Sequence, residues 1–67
     1  MDNRYAKRKA RRRAIKSITR KIILIRDIEE DYLNSLPDTE ANEDRYIESE
    51  YFVGTLYNVV ESLEFLQ

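Results

Sequence analysis

The side chains best suited to chemistry in this sequence are cations crowded near its start and carboxylates spread over the rest. Residues 1–26 hold eleven of the twelve Lys and Arg residues and one acid, a net charge of +10. Residues 27–67 hold twelve acids and one cation, a net charge of −11. The overall charge of −1 therefore conceals a bipolar chain, with one segment suited to polyanions and another suited to basic partners.

The cationic segment predicts contact with phosphate. Neutralised phosphates release counterions, and Arg binds a phosphate or a guanine edge through two parallel hydrogen bonds. We expect nucleic-acid contacts, to DNA or RNA, from Arg4, Lys7, Arg8, Lys9, Arg11, Arg12, Arg13, Lys16 and Arg20. Acids of another molecule, water or a membrane surface are the alternative surroundings for these charges. Tyr5 lies among the arginines, where it is placed to stack on a base.

The carboxylates do not indicate an enzyme. Pairs such as Glu48 with Glu50 need a concave, partly dry site for acid–base catalysis, and two exposed helices offer none. Asp27, Glu30 and Asp31 share helical spacing, but the Gly turn and backbone ligand of a calcium loop are missing. The chain also lacks His and Cys. We therefore expect no catalytic residue, no cofactor, no metal and no small-molecule substrate.

The length of 67 residues allows one domain at most. No apolar run approaches the roughly 20 residues that span a bilayer. We therefore expect a cytoplasmic protein without a membrane span.

One Gly and one Pro in the whole chain favour long helices with few turns. Helix 1 is predicted from about Asn3, an N-cap beside Asp2, to Leu36, because the residue before Pro37 is pushed out of the helical region. Asn42 is the predicted N-cap of helix 2, which runs from about residue 43 to residue 66.

Apolar residues at spacings of three and four predict which side of each helix is buried. The main stripe of helix 1 consists of Ile15, Ile18, Ile22, Ile25, Tyr32 and Leu36. That of helix 2 consists of Phe52, Leu56, Val59, Leu63 and Leu66, widened by Tyr46, Val53 and Val60. The predicted fold is all-α, a two-helix antiparallel hairpin. Its parts are an overhanging basic arm (1–13), the core part of helix 1 (14–36), a turn (37–42) and helix 2 (43–67).

Two helices cannot enclose a core, so apolar residues remain on their outward sides. We predict a protein interface at Ile23, Leu24, Ile47, Tyr51, Gly54 and Phe65. A homodimer forming a four-helix bundle is the first interpretation of this surplus, and a partner protein is the second. Gly54 either permits close helix approach or is a tolerated defect.

Two resemblances concern the basic segment. Asn3, Ala6 and Arg11 have the N-x-x-A-x-x-x-x-R spacing and so resemble a bZIP basic region, with Lys7 where that pattern has a second Ala. The order of basic segment, helix, Pro-containing turn and helix is similar to a basic helix-loop-helix domain. Both resemblances imply a basic helix that contacts DNA.

A third resemblance covers residues 32–66. It rests on Tyr32-Leu33-Asn34-Ser35-Leu36-Pro37, Arg45-Tyr46, Glu50, Leu56, Val60 and Leu63-Glu64. This pattern is similar to helical hairpins in short uncharacterised proteins of bacteria, phages and mobile elements. It implies a small helical accessory or regulatory role.

Two functions follow as hypotheses. The first is a regulatory protein that binds nucleic acid through its basic arm. The second is a phage or mobile-element protein, for example an anti-defence protein, that binds a host protein through its acidic and outward apolar surfaces.

Overall fold

The computed structural model describes residues 3–67, which form two α-helices packed against each other. Helix α1 spans Arg8–Ser35 and helix α2 spans Glu43–Glu64, and short 3₁₀ turns lie at Asn3–Tyr5 and Glu40–Asn42. The predicted all-α hairpin is confirmed. Residues 1 and 2, which begin the predicted arm and include Asp2 beside the predicted N-cap, lie outside the described residues.

The start of α1 differs from the prediction. The helix begins at Arg8 instead of Asn3, and Lys7 is its N-cap with extended backbone and no side-chain cap bond. Arg11 Nη1 donates hydrogen bonds to the carbonyl oxygens of Tyr5, at 3.0 Å, and Ala6, at 2.8 Å. The guanidinium thus holds the preceding 3₁₀ turn against the helix. In a longer helix these two carbonyl oxygens would accept from backbone N–H groups four residues later, so the Arg11 side chain takes the place of those bonds.

The turn follows the local signals in the sequence. Leu36, before Pro37, has extended backbone angles and ends α1. Asn42 is the N-cap of α2, and acids occupy the first turn of that helix, where they favour its dipole. The Asn42 side chain does not cap the helix, however, because its Nδ2 donates to the Pro37 carbonyl oxygen at 3.2 Å.

Between the helices runs a seam whose positions are spaced four and three apart. Its α1 members are Ile15, Thr19, Ile22, Arg26, Glu29 and Leu33, followed by Leu36 at the helix end, and its α2 members are Ser49, Val53, Leu56, Val60 and Leu63. Among the described residues, the buried apolar side chains are those of Val53 and Val60. The core is therefore a thin line.

Polar bonds across the seam set the antiparallel register. Ser49 Oγ donates to Glu29 Oε1 at 2.9 Å. Farther from the turn, Gln67 Nε2 donates to Thr19 Oγ1 at 3.2 Å, and Thr19 Oγ1 in turn donates to the Ile15 carbonyl oxygen at 2.7 Å. Later residues of α2 thus meet earlier residues of α1. Each satisfied bond avoids the cost of a polar group buried without a partner.

The predicted stripes are only partly in the seam. Some residues expected in the core are exposed: Ile18, Ile25 and Tyr32 of α1, Tyr46 and Phe52 of α2, and Leu66 just beyond α2. Both helices are rotated so that small or paired polar residues enter the seam. The largest apolar side chains consequently lie beside it.

The molecule is a rod with extents of 51 × 20 × 17 Å. Over residues 3–67, neither helix combines the length and the apolar character required to cross a bilayer.

Candidate nucleic-acid interface

All nine cations predicted to contact nucleic acid are exposed. Within the described residues, the ion pair is formed by Arg26 and Asp27, whose Nη2 and Oδ1 atoms lie 3.0 Å apart. From Lys7 to Lys21, no cation has a described carboxylate within ion-pair distance. The described carboxylates therefore do not neutralise the cations from Lys7 to Lys21.

Four of these cations form a row along one side of α1. Lys9, Arg13, Lys16 and Arg20 are spaced four, three and four, so they project in similar directions. We call this set the cationic row. It is about 17 Å long at 1.5 Å per residue, comparable to the axial rise of about five nucleotides in one duplex strand.

The remaining cations have other surroundings. Arg8, Arg11 and Arg12 border an open cleft with Phe65 and Leu66 at the end of α2. Arg11 is committed to the backbone of the preceding turn. Of the nine residues predicted to contact nucleic acid, four thus form one row along α1, and the other five lie outside that row.

Near the start of the chain, Arg4 and Lys7 lie outside α1. The Arg4 guanidinium carbon lies 5.7 Å from the centre of the Tyr5 ring. Tyr5 is half-exposed beside this cation.

The first turn of α1 also favours anions at this end of the molecule. It contains no acid, and no side chain caps it. Backbone N–H groups at a helix start favour anions through their partial positive charge. The described surface around Arg8 and Lys9 therefore combines backbone and side-chain donors.

On the polar side of the hairpin, Tyr57 links the two helices. Its hydroxyl donates to Glu30 Oε2 at 2.6 Å, and the Arg26 guanidinium carbon lies 4.2 Å from the centre of its ring. The hydrogen bond to the Glu30 carboxylate, assisted by desolvation, raises the pKa of Tyr57 above its ordinary value of 10.0. The sequence pattern did not indicate this link between the helices.

The described carboxylates form no group of three that could hold a metal ion. Asp27 pairs with Arg26, and Glu30 accepts from Tyr57. Two of the three acids spaced for a possible ion site are thus engaged with different partners.

The predicted protein interface does not form one patch. Leu24 lies on the side of α1 away from α2, whereas Ile23 borders a groove with Thr19 and Glu64. The other predicted members, Ile47, Tyr51, Gly54 and Phe65, are exposed on α2. An added Cβ at Gly54 would meet nothing within 4 Å, so no described residue approaches it closely.

A different surface carries apolar residues of both helices. Tyr32 of α1 and Phe52 of α2 border the same groove, on the opposite side of the seam from Tyr57. Helical spacing places further apolar residues on that side. We define the apolar face as Ile18, Ile25, Ile28 and Tyr32 of α1 with Phe52 and Val59 of α2.

Comparison with known proteins finds no matching family, no similar curated protein and no similar solved structure.

Proposed function

We propose that this protein is a small, non-enzymatic regulatory or accessory protein that binds nucleic acid through its basic N-terminal end. The cationic row is the observation that carries the proposal. Its side chains are exposed, lie on one side of a regular helix and lack described acidic partners. A phosphate backbone supplies regularly spaced negative charges along a line, which matches such a row.

The hairpin acts as a homodimer in this proposal, forming a four-helix bundle with two basic ends. Each protomer buries few apolar side chains, and self-association would supply the missing core. Two cationic rows would double the phosphate contacts of one assembly. Because binding relies on charge and not on base edges, we expect weak sequence preference.

The test measures fluorescence anisotropy of labelled duplex DNA and RNA with the full chain over a salt series. The variant replaces the cationic row, Lys9→Gln, Arg13→Gln, Lys16→Gln and Arg20→Gln, because Gln has similar helix propensity. We expect affinity at low salt to fall roughly 100-fold and the salt slope to shrink by about 3.6 per protomer that contacts phosphate through this row.

A matched control neutralises four acids instead, Glu48→Gln, Glu50→Gln, Glu61→Gln and Glu64→Gln. Its affinity can rise, but its salt slope should stay close to that of the unmodified chain. Circular dichroism verifies that both variants remain helical. Failure of the unmodified chain to bind at low salt, or an unchanged slope in the helical row variant, would overturn the proposal.

A further inference from the structure

We infer that the apolar face is the contact surface of an antiparallel homodimer, in which the basic end of each protomer lies beside the acidic turn of the other. By acidic turn we mean Asp38, Glu40, Glu43 and Asp44. This inference deepens the proposed function, because it rests on the homodimer proposed there and specifies its surface and orientation.

The first argument is the amount of exposed surface. The rod exposes 5840 Å² for a mass of 8.1 kDa. A compact monomer of that mass exposes about 4500 Å². The surplus of about 1300 Å² exceeds the roughly 800 Å² that each partner buries in a standard interface. The extra exposed surface of the hairpin is therefore large enough to form a dimer interface.

The direction of the apolar side chains indicates where that contact lies. A helix in a four-helix bundle touches two neighbours, so its apolar sector must extend from one contact to the next. In α1 the sector runs from Ile22 in the seam to Ile25 beside it, and in α2 from Leu56 to Val59. Both sectors extend toward the same side of the hairpin. This arrangement fits a second hairpin on the apolar face.

The sequence of α1 indicates that the second hairpin is another copy of this chain. Residues at equal distances before and after Ile25 complement each other. Seven positions away on either side are Ile18 and Tyr32, and four positions away are Lys21 and Glu29. If two α1 helices cross antiparallel at Ile25, apolar residues meet apolar residues and a cation meets an acid. A two-fold axis generates that self-complementary pairing.

The charges favour an antiparallel dimer over a parallel one. A parallel dimer would place two segments of +10 at one end and two of −11 at the other. Packed helix axes are about 8–10 Å apart, close to the Debye length of about 8 Å in physiological salt, so this repulsion would be only partly screened. The antiparallel dimer instead brings Arg12 level with the partner's Asp38.

The cationic row stays available in this dimer. Lys9 and Arg20 project from a different side of α1 than Ile18 and Ile25, as their helical positions require. Self-association and nucleic-acid binding therefore use different surfaces. The two rows lie at opposite ends of one assembly.

The orientation is tested with a spin label at Thr39→Cys, because the chain has no other Cys and Thr39 is an exposed turn residue outside the apolar face and the cationic row. Thr39 is 14 positions beyond Ile25. The antiparallel dimer predicts a label separation of about 40 Å. A parallel dimer predicts less than about 20 Å, since the two turns would be adjacent. The shorter distance would overturn the inference.

The surface is tested with a pair of neighbouring substitutions, Ile25→Glu and Leu24→Glu. The two residues have similar exposure, 51% and 61%, but project from different sides of α1. In analytical ultracentrifugation, Ile25→Glu should raise the dimer dissociation constant at least about 100-fold, because it would bury a charge in the contact. Leu24→Glu should leave the constant within about threefold, as expected for an exposed substitution.

Three further results contradict the inference: an unmodified chain that is monomeric at millimolar concentration, a dimer that stays intact in Ile25→Glu, or a dimer that dissociates in Leu24→Glu. The label distance needs no substitution in the apolar face, so unfolding of Ile25→Glu would not remove the test. Anisotropy on the same samples separates the two proposals. Binding by a monomeric chain overturns this inference and the proposed homodimer but leaves the proposed nucleic-acid binding standing. An antiparallel dimer that binds no nucleic acid overturns the proposed nucleic-acid binding and leaves this inference standing.

Discussion

At the residue scale, the Tyr57 side chain contacts charged groups of α1 and has a perturbed pKa. Its hydroxyl reaches the Glu30 carboxylate across the helix pair, while Arg26 lies over its ring. The carboxylate stabilises the protonated phenol and so raises its pKa, and Arg26 opposes this effect only in part. The contact ties α1 to α2 on the side opposite the apolar face.

The raised pKa predicts a loss of stability at high pH. Because the pKa of Tyr57 is higher in the folded chain than in the unfolded chain, the folded state holds the proton longer. The resulting stabilisation is complete below pH 10 and is lost as pH rises through the folded value. In Tyr57→Phe this part of the pH dependence should disappear. Urea unfolding between pH 8 and pH 11.5 measures it.

Tyr51→Phe is the matched control, since it removes a phenol that is 78% exposed. Its curve of unfolding free energy against pH should follow that of the unmodified chain. Curves for Tyr57→Phe and the unmodified chain that stay parallel from pH 9 to pH 11 would contradict the assigned role.

At the element scale, local signals predicted the helix ends near the turn. Pro37 excludes helical geometry at Leu36, and Asn42 followed by Glu43 marks the start of α2. These constraints act within a few residues, so sequence alone reveals them. The predicted start of α1, at Asn3, was wrong. The Arg11 side chain donates to the carbonyl oxygen of Tyr5, a contact that no spacing rule indicates.

The rotation of each helix could not be predicted in the same way. The apolar sector of α1 is wide enough for the seam to lie on either side of Ile22, and counting apolar residues favoured the side with Ile18 and Ile25. The structure selects the other side, where Thr19 is buried and Arg26 lies over the Tyr57 ring. Such pairing depends on two helices at once. The exposure of the basic residues does not depend on how the two helices pack, so the sequence could predict it. The location of the apolar face does depend on that packing, so the sequence could not predict it.

Gly54 gives a prediction for α2 as an element. It lies inside the helix with open space around it and no positive φ angle. Gly54→Ala should therefore stabilise the hairpin by about 1 kcal/mol, the difference in helix propensity. Thermal unfolding measures the change. Destabilisation, or dissociation of the dimer, would instead support close helix approach at this position.

At the scale of the whole molecule, opposite charges at the two ends of a 51 Å rod make self-association sensitive to salt. In the proposed antiparallel dimer, the contacts between basic ends and acidic turns are attractive and are screened as salt increases. In a parallel dimer, salt would relieve repulsion and strengthen association. The two orientations thus predict salt effects of opposite sign, because the apolar contact itself is little changed over this range.

We expect the dimer dissociation constant to rise about tenfold between 0.05 M and 0.5 M NaCl, as screening shortens the reach of these charges to a few ångströms. Sedimentation equilibrium measures the constant without nucleic acid present. The variant Asp38→Asn, Glu40→Gln, Glu43→Gln and Asp44→Asn removes the acidic turn, and should associate more weakly at low salt with little further loss on adding salt. A dissociation constant that falls as salt rises would indicate that like ends meet, because only repulsive contacts are relieved by screening.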